Sequence, residues 1–182
     1  MASASAVWFT LLTLLIGAER IAELVVAGRN RRWSLARGGV ESGSRHYPVV
    51  VALQVGLLVG GPVEVWLRRP PVLLPFALVM FILVLAAQAL RWWCIGTLGR
   101  QWNTRIIVVP GLGLVRRGPY RWLRHPNYVA VVVEGIALPL TGAARITAIA
   151  FTLTNLGFLW VRIRAEQRAL AMAGTASAAR SD

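Results

Sequence analysis

Five stretches of the sequence are apolar over nearly the length that a helix needs to cross a lipid bilayer, and this feature constrains the fold most. A helix that rises about 1.5 Å per residue spans the hydrocarbon core with roughly 20 residues. The stretches cover residues 6–27, 47–67, 71–93, 127–142 and 146–163. Hydrophobic residues make up 57% of the 182 residues, more than is usual in a soluble domain. We predict an all-α integral membrane protein, one domain over residues 1–182 with about five transmembrane helices, the last two forming a hairpin.

The charge is best explained by membrane topology. All 20 basic residues are arginines, and the net charge is +13. Fifteen of them fall in the loops 28–46 and 94–126 and in the C-terminal tail, whereas three fall in the opposite loops. Arginine is enriched on the cytoplasmic side of membranes. We therefore predict a multi-pass protein of the cell membrane, with the N-terminus outside and the long loops, active site and tail in the cytosol. We expect no nucleic-acid partner.

The single cysteine, Cys94, excludes an internal disulfide and a metal site made of several cysteines. No metal is expected in this protein. The sequence specifies neither the oligomeric state nor the identity of a substrate.

Ionisable residues inside an apolar stretch are costly unless they are paired or line a wet cavity. Glu19, Arg20 and Glu23 fall in the first stretch, where Arg20 and Glu23 are spaced to pair at i,i+3. We favour a structural ion pair buried between helices. Near the end of the second stretch, Arg68 follows Glu64 at i+4, which predicts a salt bridge at the membrane interface.

Glu134 in the fourth stretch has two possible roles, which the sequence leaves open. It lies seven residues beyond Asn127, about 10 Å along a helix and on the same face. One possibility is a catalytic carboxylate. The other is a buried carboxyl that is hydrogen-bonded to a neighbouring helix.

A polar stripe follows the fifth stretch as it leaves the membrane. Its members are spaced by three, seven and four residues and share one helix face: Thr152, Asn155, Arg162 and Glu166. Arg162 and Glu166 could simply pair on a solvated surface. Because the stripe begins inside the membrane, we favour a cavity that it lines at the cytosolic side.

A dense loop joins the third and fourth stretches. It contains Gly-Pro-Tyr at 118–120 and Arg-His-Pro-Asn-Tyr at 124–128, and Arg162 and Glu166 follow after the hairpin. The prolines restrict the turns, and the one after His125 keeps that residue out of helical conformation. Together these motifs resemble the isoprenylcysteine carboxyl methyltransferase family, whose pattern is RHPxY followed by a C-terminal RxxxEE. One difference is Gln167, which replaces the second acid of that pair.

The resemblance implies an integral membrane enzyme that uses S-adenosyl-L-methionine without a Rossmann domain, with a catalytic region over residues 100–170. The absence of a GxGxxG motif after a strand is consistent with this. Glu166 would hold the charged methionine portion of the cofactor, and Arg162 would face the methyl acceptor. The resemblance places the rest of the cofactor along Leu112, Gly113, Leu114, Val115, Tyr120, His125, Pro126, Asn127 and Tyr128.

Methyl transfer from a sulfonium to an oxyanion depends mainly on positioning and on the exclusion of water. A guanidinium such as that of Arg162 can orient an oxyanion with two parallel hydrogen bonds. The chemistry therefore suits an O-methyltransferase.

The N-terminal half resembles a bacterial branch of the same family. The similar segments are Arg-Ile-Ala-Glu at 20–23, Arg-Asn-x-x-Trp at 29–33 and residues 39–48. Members of that branch occur with type III polyketide synthases and O-methylate long-chain alkylpyrones. The resemblance thus implies a lipophilic small-molecule acceptor with an acidic oxygen, either an alkylpyrone-like enol or a prenylcysteine-like carboxylate, approached among membrane lipids.

Two other functions remain open at this point. Sterol reductases resemble the family near their C-terminus but are longer and use NADPH. A small membrane transporter or assembly subunit could use the polar stripe as a permeation path. Saturable binding of S-adenosylmethionine would separate the methyltransferase from the transporter.

Overall fold

The computed structural model describes residues 4–42, 47–113 and 115–178, and only the backbone for Ser42, Arg162 and residues 165–178. Five α-helices account for most of these residues: α1 Ala4–Leu35, α2 Tyr47–Arg68, α3 Leu74–Leu98, α4 Pro126–Thr141 and α5 Arg145–Ala178. Two strands, β1 Val40–Ser42 and β2 Ile106–Val108, form a short antiparallel pair in this part of the chain. The predicted all-α architecture is confirmed.

The helices have the apolar character of a membrane protein. Tyr47–Arg68 and Leu74–Gln101 are long and apolar enough to cross a bilayer, and Pro126–Thr141 and Arg145–Val161 are shorter apolar helices. Large apolar side chains also cover the outward faces; Leu14 of α1, for example, is 64% exposed. Soluble monomers rarely expose apolar patches of this extent, whereas lipid tails cover them at no cost.

The first helix is longer than the apolar stretch that predicts it. It continues from residue 27 to Leu35, through residues that we expected to form a loop. Polar contacts explain the extension. Asn30 donates hydrogen bonds to the backbone oxygens of Gly99 (3.1 Å) and Trp102 (2.8 Å), and Ala27 packs against Trp102. The helix ends before Gly38, whose φ of 74° suits a helix C-terminus.

The apolar core lies among the five helices. Its buried members are Leu12, Ile16, Leu57, Val84, Ala137, Leu138 and Phe151. The predicted hairpin of α4 and α5 is present, joined by a tight turn at residues 142–144. Gly135 permits its close packing, because a Cβ there would lie 2.1 Å from Cε1 of Phe151.

Glu64 fastens α2 to α5. Its carboxylate accepts hydrogen bonds from the backbone nitrogens of Ile146 (3.0 Å) and Thr147 (2.7 Å) and from the Thr147 hydroxyl (2.8 Å). It thus satisfies free donors at the N-terminus of α5, where a negative charge is favourable. The predicted salt bridge with Arg68 is wrong: among the described residues Arg68 makes no ion pair with this carboxylate.

Candidate active site

A cavity of about 960 Å³ lies where α3 ends, α4 begins and the intervening loop folds over both. A volume of this size lies in the range of ligand pockets. Its lining residues are Leu98, Gln101, Trp102, Asn103, Arg105, Ile106, Ile107, Val108, Val115, Arg116, Tyr120, Arg121, Arg124, His125, Pro126, Asn127 and Tyr128.

The sequence around His125 builds one wall of this cavity. Pro126 is the first residue of α4, where its missing N–H costs no hydrogen bond. His125 precedes the helix with non-helical φ and ψ of −133° and 62°. Its ring stacks on that of Tyr128, with centroids 5.2 Å apart and planes at 13°. The two rings are therefore stacked at the start of α4.

A close approach fixes the loop that carries Tyr120. Gly118 has a φ of 57°, and a Cβ at this position would lie 2.5 Å from the Thr97 hydroxyl of α3. Only glycine meets both conditions without strain. Pro119 is fully buried, and a short 3-10 turn over Gly118–Arg121 then brings Tyr120 to the cavity.

Most of the predicted cofactor residues lie together. Leu112 and Gly113 are exposed and are not among the described lining residues. Leu114 lies outside the described residues, as do the side chains of Arg162 and Glu166. The six predicted residues that do line the cavity are Val115, Tyr120, His125, Pro126, Asn127 and Tyr128.

The opposite wall is formed by residues 101–108, which lie in the predicted catalytic region but include none of the predicted site residues. Trp102 is 3% exposed and is held by the hydrogen bond from Asn30. Strand β2 follows it and pairs with β1, so that Val40 lies opposite Val108. The one signal for this wall was the β-branched run Ile106–Val108, which is typical of a strand. A strand of three residues is too short for such a signal to stand out.

Glu41 ties the loop after α1 to this wall. It accepts hydrogen bonds from Arg105 (2.6 Å) and Arg31 (3.0 Å), and the Arg105 guanidinium lies 4.3 Å from the ring centroid of Tyr47. The hydrogen bond from Arg105, with that from Arg31, lowers the pKa of the Glu41 carboxyl below its ordinary value, although partial burial acts in the opposite direction. The loop is therefore fastened to the cavity by charge as well as by strand pairing.

The described lining of the cavity is strongly basic. It includes Arg105, Arg116, Arg121 and Arg124, and no Asp or Glu is among the described lining residues. The Oδ1 atom of Asn127 is buried and accepts no hydrogen bond within the described structure. A buried acceptor without a donor is costly, and this atom belongs to a residue that lines the cavity.

A buried ionic cluster lies deeper, between α1, α3 and α4. Glu134 is 1% exposed, and its Oε2 accepts hydrogen bonds from Arg20 (3.2 Å) and from Arg91. Arg20 also forms the predicted pair with Glu23 (2.5 Å), and the Arg91 Nε lies 3.5 Å from the same Glu23 carboxylate. Two arginines thus join carboxylates from α1 and α4.

Polar side chains extend this cluster toward the exposed Trp92 of α3. Gln88 receives a hydrogen bond from Arg20 (2.8 Å) and donates one to Glu19, which also accepts one from the Trp92 indole. Among Glu19, Arg20 and Glu23 we predicted a buried structural ion pair, and the Arg20–Glu23 contact confirms it. The pairing neutralises most of the charge that would otherwise be costly between membrane helices.

Two members of the predicted polar stripe on α5 have described side chains. Asn155 is 8% exposed, and its Nδ2 is buried with no hydrogen-bond partner in the described structure. Thr152 is half-buried one turn earlier. Neither residue is among the described lining residues of the cavity, so the cavity along the stripe stays a prediction, as does the extension of the stripe to Arg162 and Glu166.

Comparison with known proteins adds to this geometry. A model of the isoprenylcysteine carboxyl methyltransferase (ICMT) family matches residues 78–172. The uncharacterized protein YpbQ of Bacillus subtilis is 37% identical over 164 residues, which cover 89% of this chain and 96% of YpbQ. An uncharacterized protein of Haemophilus influenzae is 25% identical over 154 residues, 84% of this chain and 89% of its own. No solved structure gives a significant match.

Proposed function

This chain belongs to the isoprenylcysteine carboxyl methyltransferase family of membrane methyltransferases, and from that premise we propose that it transfers a methyl group from S-adenosylmethionine to an acidic oxygen of a lipophilic acceptor. The observation that carries the proposal is the cavity of about 960 Å³, because six residues of the family-like motifs line it together. The match over residues 78–172 includes this whole wall.

The described lining is compatible with S-adenosylmethionine. Aromatic rings such as Tyr120, Tyr128 and Trp102 can flank a sulfonium or a nucleobase. The free Oδ1 of Asn127 can accept a hydrogen bond from an amine. The cofactor's ammonium needs a carboxylate, and we assign this role to Glu166. When bound, the cofactor supplies an electrophilic methyl group.

The chain's own residues supply positioning and charge. Arg162 and Glu166 are four residues apart in the sequence of α5, a spacing that would place them on one face of the helix. Glu166 would hold the cofactor's ammonium, while Arg162 would present a planar pair of donors to the acceptor oxyanion. The basic lining would keep an enol or carboxylic acid ionised by favouring its anion.

A catalytic role for Glu134 stays a prediction, and its contacts favour a positioning role. One carboxylate oxygen is already engaged by Arg20 and Arg91. These bonds fix the rotation of α4 about its axis, and α4 begins with the cavity residues Pro126 and Asn127. We therefore propose that Glu134 aligns this wall through the helix.

We propose further that the protein is multi-pass, with its N-terminus outside and the cavity in the cytosol. The bias of arginines toward the cavity side supports this orientation. Cysteine labelling of a variant without Cys94, at positions 3 and 181, tests it. Labelling of both positions from the same side of sealed vesicles would exclude five spans.

Cofactor binding by the purified protein tests the site. We expect saturable binding of S-adenosylmethionine by calorimetry, and about a tenfold loss or more in His125→Ala and in Asn127→Ala, since each removes a polar contact. Arg145→Ala is the control, because Arg145 is exposed at the opposite end of α5. Equal affinity in all four proteins would remove the cavity assignment, and absence of binding would remove the methyltransferase proposal.

A further inference from the structure

The loop that covers the cavity also has an outward surface that is both basic and apolar. We define the arginine–tryptophan surface as Arg116, Arg117, Arg121, Trp122, Leu123 and Arg124. All four arginines are exposed, Trp122 is 69% exposed and Leu123 is 43% exposed. Trp122 and Leu123 thus place apolar side chains among these charges, and tryptophan is enriched where a membrane meets water.

No acidic residue neutralises this surface from its own segment. Between Cys94 and Glu134 the sequence contains six arginines and neither aspartate nor glutamate. Of these six, Arg105 is engaged by Glu41 on the cavity wall. The surface arginines therefore create a concentrated positive field around Trp122.

Two features of the structure place this surface at the ends of the apolar helices α3 and α4. The Trp122 ring meets the Trp93 ring edge to face, with centroids 5.9 Å apart, and Trp93 lies in the last two turns of α3. At its other end the surface is followed within two residues by Pro126, the first residue of α4. The surface thus lies where two apolar helices end, the level at which tryptophan is enriched in membrane proteins.

We propose that the arginine–tryptophan surface binds the headgroups of anionic phospholipids. Guanidinium groups bind phosphate oxygens with two parallel hydrogen bonds, and clustered arginines next to a membrane helix attract anionic lipids. Trp122 and Leu123 insert at the boundary between headgroups and acyl chains, which a free phosphate or a nucleic acid does not offer. The proposal does not depend on methyl transfer.

The same lipids would border the mouth of the cavity. Arg116, Arg121 and Arg124 belong to the surface and also line the cavity. An acceptor with a lipid tail can therefore reach the cavity from a lipid layer that the protein itself holds in place. Arg117 belongs to the surface alone, since it is not among the described lining residues.

Lipid retention measures this binding directly. The protein is reconstituted in vesicles of equal parts phosphatidylglycerol and phosphatidylcholine, extracted in mild detergent, and its retained lipids are counted by mass spectrometry. We expect phosphatidylglycerol to be enriched over the bulk ratio. Each arginine at such a surface contributes roughly a factor of five, so Arg117→Gln/Arg121→Gln should lower the enrichment by about fivefold to twenty-fivefold.

The matched control is Arg68→Gln/Arg145→Gln, which removes the same charge from exposed positions at the other end of the helices. It should leave the enrichment unchanged. The single variant Arg117→Gln, which touches no cavity wall, should show a loss of about fivefold even if the double variant is unstable. Retention at the bulk ratio in the wild type, or an equal loss in the control, would overturn the proposal.

Two further outcomes decide between lipid and other anions. Inorganic phosphate or a short RNA that fully displaces phosphatidylglycerol would assign the surface to that ligand and overturn the proposal. Lipids brominated near the headgroup should quench tryptophan fluorescence more in the wild type than in Trp122→Phe. Equal quenching in both proteins would show that Trp122 is not in the membrane, which also contradicts the proposal.

Discussion

Replacing Glu134 with glutamine should destabilise the fold far more than its single atom change suggests. The Glu134 side chain is 2% exposed, and one of its oxygens accepts hydrogen bonds from both Arg20 and Arg91. Arg91 is itself 3% exposed. The substitution Glu134→Gln keeps the volume and one acceptor oxygen but removes the negative charge that the two guanidiniums share.

The size of the effect follows from burial. Removing one partner of a buried ion pair costs about 3–5 kcal/mol, because the other charge stays buried without compensation. Here Arg91 keeps a second carboxylate, Glu23, at 3.5 Å. We therefore expect a loss at the lower end, about 3 kcal/mol of unfolding free energy. Adding Arg91→Met should restore part of it, with a coupling energy of at least about 1 kcal/mol between the two positions.

Glu41→Gln is the matched control for this substitution. Glu41 also bonds to two arginines, but the side chains of its partners Arg31 and Arg105 are 43% and 32% exposed. Such accessible pairs contribute at most about 1 kcal/mol. Unfolding in mixed micelles with increasing denaturing detergent measures both variants. A loss in Glu134→Gln no greater than that in Glu41→Gln would refute the buried-cluster reasoning.

Three further substitutions or conditions test other parts of the account. Gly118→Ala should cost about 1–3 kcal/mol of stability, because Gly118 has a positive φ and lies in close contact with α3. Gly113→Ala is the control and should cost little, because a Cβ at Gly113 has no atom within 4 Å. Equal shifts of the melting temperature in the two variants would contradict this. Glu64→Ala should lower stability by about 1–2 kcal/mol through the lost cap of α5, and Arg68→Ala, as the control, by less than half of that. Because the pKa of Glu41 is lowered in the fold, its contribution is full above its ordinary value of 4.5 and is lost as the pH falls through the lower folded value. The protection factor of the β1 amides, which is the intrinsic exchange rate at each pH divided by the observed rate, should therefore fall only in acid, and a protection factor that does not change with pH would count against the Glu41 tether.

The helices could be predicted from the sequence because burial in lipid requires long apolar runs, which are visible in one dimension. The Arg20–Glu23 pair could be predicted for a similar reason, since residues three apart meet on one helix. The length of α1 could not. Its last turns are held by Asn30, whose partners Gly99 and Trp102 are about 70 residues away.

The misread carboxylate, Glu64, shows the same limit. Its neighbour Arg68 on the same helix suggested a local salt bridge, but the free backbone N–H groups of α5 are better donors for it. No local pattern in α2 shows where a distant helix begins. Likewise, the partners of Glu134 lie on two other helices, so the sequence marked it as unusual without indicating what it binds.

One part of the candidate site could be predicted from the sequence, because the residues of that part are close together in the chain. The motif at residues 124–128 lies on one turn, and proline sets its conformation locally. The opposite wall depends on the pairing of β1 with β2 and on Trp102 packing beneath α1. Such contacts arise from tertiary packing, which a single sequence does not display.

Methyl transfer by the reconstituted protein tests the central claim most directly. Labelled S-adenosylmethionine is supplied with a long-chain hydroxypyrone or with a prenylated cysteine, and the labelled O-methyl product is counted for the wild type, Arg162→Ala and Arg162→Lys. We expect product from at least one acceptor. Arg162→Ala should lower turnover by orders of magnitude at nearly unchanged cofactor affinity, and lysine should rescue poorly because it lacks the planar pair of donors. Full activity in Arg162→Ala would contradict the assignment of Arg162, and a wild type that neither binds the cofactor nor methylates either acceptor would contradict the account as a whole.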